Sequence, residues 1–236
     1  MKRVAILQSN YLPWKGYFDI LGAVDEFIVY DCAQYTKNDW RNRNQLKTAQ
    51  GKVWLTVPVR HRSLDQRIDE VEVADPRCFR KHWNTYRQAY GREPGFAAHE
   101  AVLAEAFATA AEFPRLSEVN LHFLKTVAGV LGIGTRITDA RDYALPPGRN
   151  ERLLALCRQA GATCYLSGPA ARSYLDEEAF AREGIGVEWA DYGGYEPYPQ
   201  PYPPFDHYVS VLDLLACTGT RAPGYLKSAA MGRSAP

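Results

Sequence analysis

Apolar and polar positions alternate along this chain in blocks that change period several times. Val4 to Leu7 is a short apolar run, Gln8 to Gly16 is a polar loop with Pro and Gly, and Phe18, Ile20, Leu21 and Val24 follow at helical spacing. Phe27 to Tyr30 is a second apolar run. Strand, loop, helix and strand within so short a span predict a βαβ unit, hence a parallel sheet with a right-handed crossover. Trp40 to Arg60 alternates like a hairpin, with Val53 to Val59 as its clearest strand and Gln50-Gly51 as its turn, and Ile68 to Val73 reads as another short strand. From Pro76 the period becomes helical, predicting helices over Arg80–Tyr90, Ala97–Phe113 and Leu116–Leu131. A second α/β portion follows: strands at Arg136–Thr138, Cys164–Leu166 and Val187–Trp189, with a helix over Asn150–Ala160 between the first two. Tyr195 to Pro204 carries five prolines and three tyrosines in ten residues, so it is extended or turning. Val209–Cys217 predicts a terminal helix.

The expected fold is therefore α/β, a Rossmann-like parallel sheet with a β-hairpin excursion and a helical insertion. Residues 1–75 form the first α/β half with its hairpin, 76–132 the helical insertion or cap, 133–226 the second half, and 227–236 a flexible tail. Ligands of such sheets bind beyond the carboxyl ends of the strands.

Composition narrows the class. With 46% hydrophobic and 12% aromatic residues the chain is too apolar to be disordered, and it has no apolar run of the ~18 residues that span a bilayer. Twenty-eight basic side chains against 27 acidic ones exclude wholesale binding to nucleic acid or membrane. The five cysteines are scattered without a CxxC pair, so neither a disulfide framework nor a zinc knuckle is expected. No two histidines stand at i, i+4, and no metal site is expected. The first apolar run breaks at Gln8, too early for a signal peptide, and a cytoplasmic protein is expected.

The neutral total conceals one uneven stretch. From Cys32 to Leu64, seven cations (Lys37, Arg41, Arg43, Lys47, Lys52, Arg60, Arg62) face a single acid, Asp39. Cations interleaved with Gln34, Tyr35, Asn42 and Asn44 suit a small phosphate-bearing substrate, since guanidinium forks clasp phosphate and amides both donate and accept. The loop after the first strand supplies Gln8, Asn10, Tyr11, Trp14, Lys15 and Tyr17 to the same crevice; the loop after Leu166 supplies Ser167, Gly168 and Pro169, with Tyr174 beyond. Tyr86 and Gln200 complete the candidate substrate-binding set. Asp31 and His82 are candidate bases, and Asn10 a candidate oxyanion donor. Cys32, in a cationic loop, is a candidate low-pKa thiol or an inert small hydrophobe.

Gln8 to Tyr17 with Tyr30 to Asn44, Tyr165-Leu166-Ser167-Gly168-Pro169 with Tyr174-Leu175, Pro199-Gln200, and Leu212-Asp213-Leu214-Leu215 together resemble the WbqC-like protein family, over nearly the whole chain. The resemblance implies a bacterial protein of O-antigen, other glycan or secondary-metabolite pathways. That family usually has Asp where this chain has Cys32, which implies that a Cys32 nucleophile is not its general mechanism. At the level of fold, Asn10 to Tyr17 is similar in placement to the HxGH loop of nucleotidylyltransferases (HUP-like folds), with Trp14 and Tyr17 where the histidines stand; an indole and a phenol cannot supply their charge.

These readings lead to a transferase that forms an amide by moving an acyl or aminoacyl group from a phosphopantetheine or coenzyme A thioester to an amine of a sugar or natural-product intermediate. No tightly bound cofactor is implied, and a carrier protein is an expected partner. An ATP-dependent ligase or nucleotidyltransferase-like enzyme is one alternative. A non-catalytic glycan- or carrier-binding module, with the Tyr-Pro segment as its stacking surface, is the other.

Overall fold

A computed structural model describes residues 1–231. In chain order the elements are β1 (Arg3–Leu7), α1 (Lys15–Gly22), β2 (Glu26–Val29), β3 (Arg43–Thr48), β4 (Gly51–Thr56), β5 (Val59–Arg60), β6 (Glu72–Val73), α2 (Arg77–Tyr90), α3 (Phe96–Thr109), α4 (Leu116–Val130), β7 (Arg136–Asp139), α5 (Arg149–Gln159), β8 (Cys164–Ser167), α6 (Glu177–Arg182), β9 (Gly186–Trp189) and α7 (Val211–Thr218). β7, β2, β1, β8 and β9 pair in that order into a five-stranded sheet, every pair parallel. The fold is Rossmann-like. Val4, Ala5 and Ile6 on β1 and all of Phe27, Ile28 and Val29 on β2 are buried, as central parallel strands covered on both faces require.

Successive side chains of a strand point to opposite faces, and here the two faces feed two cores. Ala5, Phe27 and Val29 join α1, the helices α2, α3 and α4, and α7. Val4, Ile6 and Ile28 join α5 and Phe180 of α6. α2 to α4 also pack on α7, where the start of α3 nearly touches the end of α7. A Cβ on Gly95 would lie 2.1 Å from the Gly219 amide nitrogen, so only glycine fits there.

The stretch expected as one strand from Ile68 to Val73 is instead a 3-10 turn, Ile68–Glu70, followed by the two-residue β6. Local partners decide it: the Glu70 carboxylate accepts the Arg67 amide, and the Asp69 amide donates to the Asp31 carbonyl. At the other end Lys227 pairs with Asp191 at 3.2 Å and the Ser228 amide donates to Asp19, so the chain is anchored where a tail was expected to begin. Residues 232–236 of that expected tail lie outside the described residues. Among the described residues no helix is long and apolar enough to cross a membrane.

The Pro/Tyr-rich segment forms a strap across α1, β3 and α7. Its anchor is Asp213, fully buried on α7, which accepts from Tyr198 Oη at 2.6 Å, Tyr90 Oη at 2.7 Å and Gln200 Nε2 at 2.8 Å. Lys47 Nζ donates to Gln200 Oε1 and to the Pro204 carbonyl. Tyr195 Oη reaches Asp19 at 2.6 Å, and the Lys15 ammonium lies 4.9 Å and 5.0 Å from the Tyr195 and Tyr198 ring centres. Replacing the anchor strands three buried donors at once. Asp213→Ala should lower unfolding stability by roughly 3–5 kcal/mol in urea titration, whereas Tyr198→Phe, which removes one donor, should cost about 1 kcal/mol.

Candidate active site

The carboxyl ends of β1 and β2, where a crevice is expected from the sequence, are built around one carboxylate. Asp31, two residues beyond β2, is 2% exposed. Its Oδ1 accepts the Ser9 amide at 2.8 Å and its Oδ2 accepts Ser9 Oγ at 2.7 Å. The ladder continues above the strands to place them, since the Tyr30 amide donates to the Leu7 carbonyl at 2.9 Å. Ser9 Oγ in turn accepts Asn120 Nδ2 at 3.0 Å, and the same Nδ2 reaches the Arg41 carbonyl at 2.9 Å. Asn120 is fully buried on α4, so the insertion inserts an amide into the sheet's mouth. Its Oδ1 has no partner among the described residues.

Arg41 closes the network. One Nη donates to Asn10 Oδ1 and the other to Gln8 Oε1, so the two amides of the β1 loop grip the guanidinium as a fork. Tyr17 Oη donates to the Gln8 carbonyl at 3.0 Å and fixes that loop from α1. The Arg41 side chain keeps 16% of its surface open and has Asp39 only at 3.9 Å. Burial pushes the Asp31 carboxyl up to about 6, against the pull of the Ser9 hydrogen bonds and the Arg41 charge.

The structure brings Gln8, Asn10, Tyr17, Asp31 and Arg41 together and gives the rest of the candidate set other partners. Tyr11 is fully buried and its Oη meets His82 Nδ1 at 2.8 Å among side chains of α2 and α4; burial pulls that imidazole down to about 4, so His82 stands as a neutral packing group. Tyr86 Oη donates to the Leu212 carbonyl in the same core. Trp14 packs on Tyr192, Tyr195 and Tyr208, and Lys15 is enclosed by the strap. Asn42 Nδ2 bonds the Val57 carbonyl and Asn44 Nδ2 the Leu12 carbonyl, both buried and holding the hairpin. Tyr35 packs against His61, Gln34 bonds the Leu64 carbonyl, and Lys37 is exposed. Gln200 belongs to the Asp213 anchor. Ser167 is buried with Oγ 3.4 Å from Tyr165 Oη, Gly168 faces Tyr192, Pro169 opens a 3-10 turn, and Tyr174 lies under Arg149.

The expected cationic patch does not persist in space. Lys47 serves the strap, Lys52 pairs with Asp206 at 2.8 Å, Arg60 and Arg62 with Glu72 at 3.6 Å and 2.8 Å, and Arg43 lies 4.2 Å over Trp54. Counting charge within one window omitted the acids that folding brings from outside it. Cys32 is buried, and burial together with Asp69 pushes its thiol up rather than down, so the low-pKa thiol is corrected to an inert one.

Sequence reasoning missed Ser9 and Asn120. Asn120 had a signal: a polar residue at a core position among Leu116, Val119, Phe123 and Leu124. Because the Asp31 carboxyl titrates higher in the fold than in the open chain, its protonated form favours the fold and ionisation opposes it. Against Asp31→Asn, the wild type should lose roughly 3 kcal/mol of stability as pH rises from about 4 to about 6, then run parallel; denaturant titrations across that range measure it.

Comparison with known proteins agrees in sequence over this whole architecture. The chain is 46% identical over 231 residues to the uncharacterized protein Rv1507c of Mycobacterium tuberculosis, covering 96% of this chain and 98% of that one. No solved structure matches. The sequence profile described as the WbqC-like protein family matches residues 8–225, from the first amide of the β1 loop to beyond α7. The chain belongs to the WbqC-like protein family.

Proposed function

We propose that this crevice is the active site of a biosynthetic transferase, one that forms an amide from a phosphopantetheine or coenzyme A thioester and an amine of a sugar or natural-product intermediate. The observation that carries the reading is the Asp31–Ser9 pair, a buried carboxylate raised to about 6 and hydrogen-bonded to a hydroxyl beside a forked arginine. A base poised near neutral pH is what a proton-transfer step needs.

In this reading the amine nitrogen attacks the thioester carbonyl and a C–N bond forms. The amine gives a proton to Ser9 Oγ as Ser9 passes its own to Asp31. Arg41, positioned by Gln8 and Asn10, offsets the charge on the tetrahedral oxygen. Collapse breaks the C–S bond, and the departing thiolate takes the proton back from Asp31 through Ser9. No net proton is left on the protein.

Two placements favour acyl transfer over adenylyl transfer. We assign the sheet to the nucleotidylyltransferase-like branch of Rossmann-like folds, supported by its strand order and by the length and position of the β1–α1 loop. At the two positions of that branch's loop histidines, Trp14 is packed among tyrosines and Tyr17 donates to a backbone carbonyl, so neither offers a cation to a transferring phosphoryl group. A non-catalytic binding role for the Tyr-Pro segment is less well supported, since Tyr195 and Tyr198 are buried with their hydroxyls on Asp19 and Asp213. A cytoplasmic setting fits five buried cysteines, all free.

Mass spectrometry of the purified protein with acyl thioesters and amino sugars should detect an amide. Asp31→Asn should lower kcat by about 10²–10⁴-fold with little change in KM, and wild-type kcat should rise with pH through about 6 as Asp31 ionises. A wild type that makes no amide across thioester and amine panels contradicts the reading.

A further inference from the structure

Four more arginines lie beyond the same sheet end, and their pairing divides them. Arg67 is joined to the buried Asp69 at 3.0 Å, and Arg141 to Asp139 at 2.6 Å with Asp69 at 3.8 Å. Their charge is matched within the protein. Arg149 and Arg152, one turn apart at the start of α5, make no ion pair with a carboxylate among the described residues.

These two side chains are nonetheless held. The Arg149 guanidinium lies 3.4 Å from the centre of the Tyr174 ring. Arg152 Nε donates to the Pro146 carbonyl at 2.9 Å, and the same side chain lies near the Tyr30 hydroxyl. Asn150, between them, donates to the Tyr174 carbonyl at 3.0 Å and accepts the Asp176 amide at 3.3 Å, which rivets the loop after β8 to α5. The nearest acid in sequence, Glu151, turns back toward Gly148 and covers the helix end. The charge on offer is thus that of the two guanidinium groups.

Their position relative to Asp31 follows from the packing of the turn beyond β2. Tyr30 and Cys32 pack toward the α5 core, while Asp31 between them joins Ser9 and Arg41. The carboxyl edge of the sheet therefore has Arg41 on one side, Arg149 and Arg152 on the other, and Asp31 at the ridge.

We propose that Arg149 and Arg152, with Tyr30 and Tyr174 as their backing, form an anion subsite that binds a phosphoryl group of the substrate. Planar guanidinium forks stacked on or set beside phenol rings are pre-set for the bidentate grip that phosphate oxygens accept. A phosphoryl group held there leaves the rest of the substrate to cross the sheet edge toward Asp31. The proposal rests on reading the crevice as the substrate site. The phosphoryl group could belong to a nucleoside diphosphate or to a phosphopantetheine arm, which share this chemistry.

Isothermal titration at constant ionic strength with inorganic pyrophosphate, UDP and 4′-phosphopantetheine tests it. The wild type should bind at least one of the three saturably. Arg149→Ala, which removes no hydrogen bond within the protein, should weaken that binding, and Arg149→Ala with Arg152→Ala should weaken it by roughly tenfold or more. Arg158→Ala, an exposed arginine at the far end of α5, is the charge control and should bind as wild type. The tighter of UDP and phosphopantetheine names the source. No saturable binding by the wild type, undiminished binding by the double variant, or an equal loss in Arg158→Ala overturns the proposal. Asp31→Asn should retain the phosphate affinity while losing amide formation, so the subsite and the proposed reaction fail separately.

Discussion

A single carboxylate, Asp31, ties three parts of the chain that share no continuous secondary structure. Its two oxygens take the amide and hydroxyl of Ser9, and Ser9 takes the amide of Asn120 from the helical insertion. Asn120 reaches the Arg41 carbonyl in the loop that leads to the hairpin, and Arg41 returns to Gln8 and Asn10 on either side of Ser9. Sheet, insertion and hairpin loop thus close on one point. The constraint has an electrostatic consequence, because a carboxylate taken from water and given only neutral donors from Ser9 and a more distant cation is costly to ionise.

Other buried acids show how differently the protein treats charge used for structure. Glu26 is 1% exposed, yet bonds from Lys2, Tyr143 and Thr138 outweigh the upward push of burial and hold it below the usual carboxylate range. Asp69 has two arginines. Asp213, whose carboxyl burial also pushes up, has three donors and fastens the strap to α7. Each of these is held by two or more side chains. Asp31 has one partner residue for both oxygens and a cation already shared between two amides, an arrangement suited to changing protonation state.

The strands and the crossover were legible because they depend on local periodicity: Val4–Leu7 and Phe27–Tyr30 are short apolar runs that only a parallel sheet buries on both faces. Gln8, Asn10, Asp31 and Arg41 were legible because strand-end loops carry ligand chemistry in such sheets. The fate of the other cations was not, because Lys52 and Lys47 are matched by Asp206 and Gln200 more than 150 residues away. His82 illustrates the same limit, since nothing local shows that its ring nitrogen meets Tyr11 rather than the crevice. The strap residues Tyr195 and Tyr198 read as a surface because their acceptors, Asp19 and Asp213, lie on separate helices.

Burial leaves the Asp31 carboxyl poised near neutrality. A pH titration of side-chain carboxyl carbons by NMR, with Asp31→Asn to assign the resonance, measures this directly. The Asp31 signal should move with a midpoint of about 6. A midpoint at or below that of ordinary aspartates would show a carboxylate permanently ionised for structure, and would contradict it.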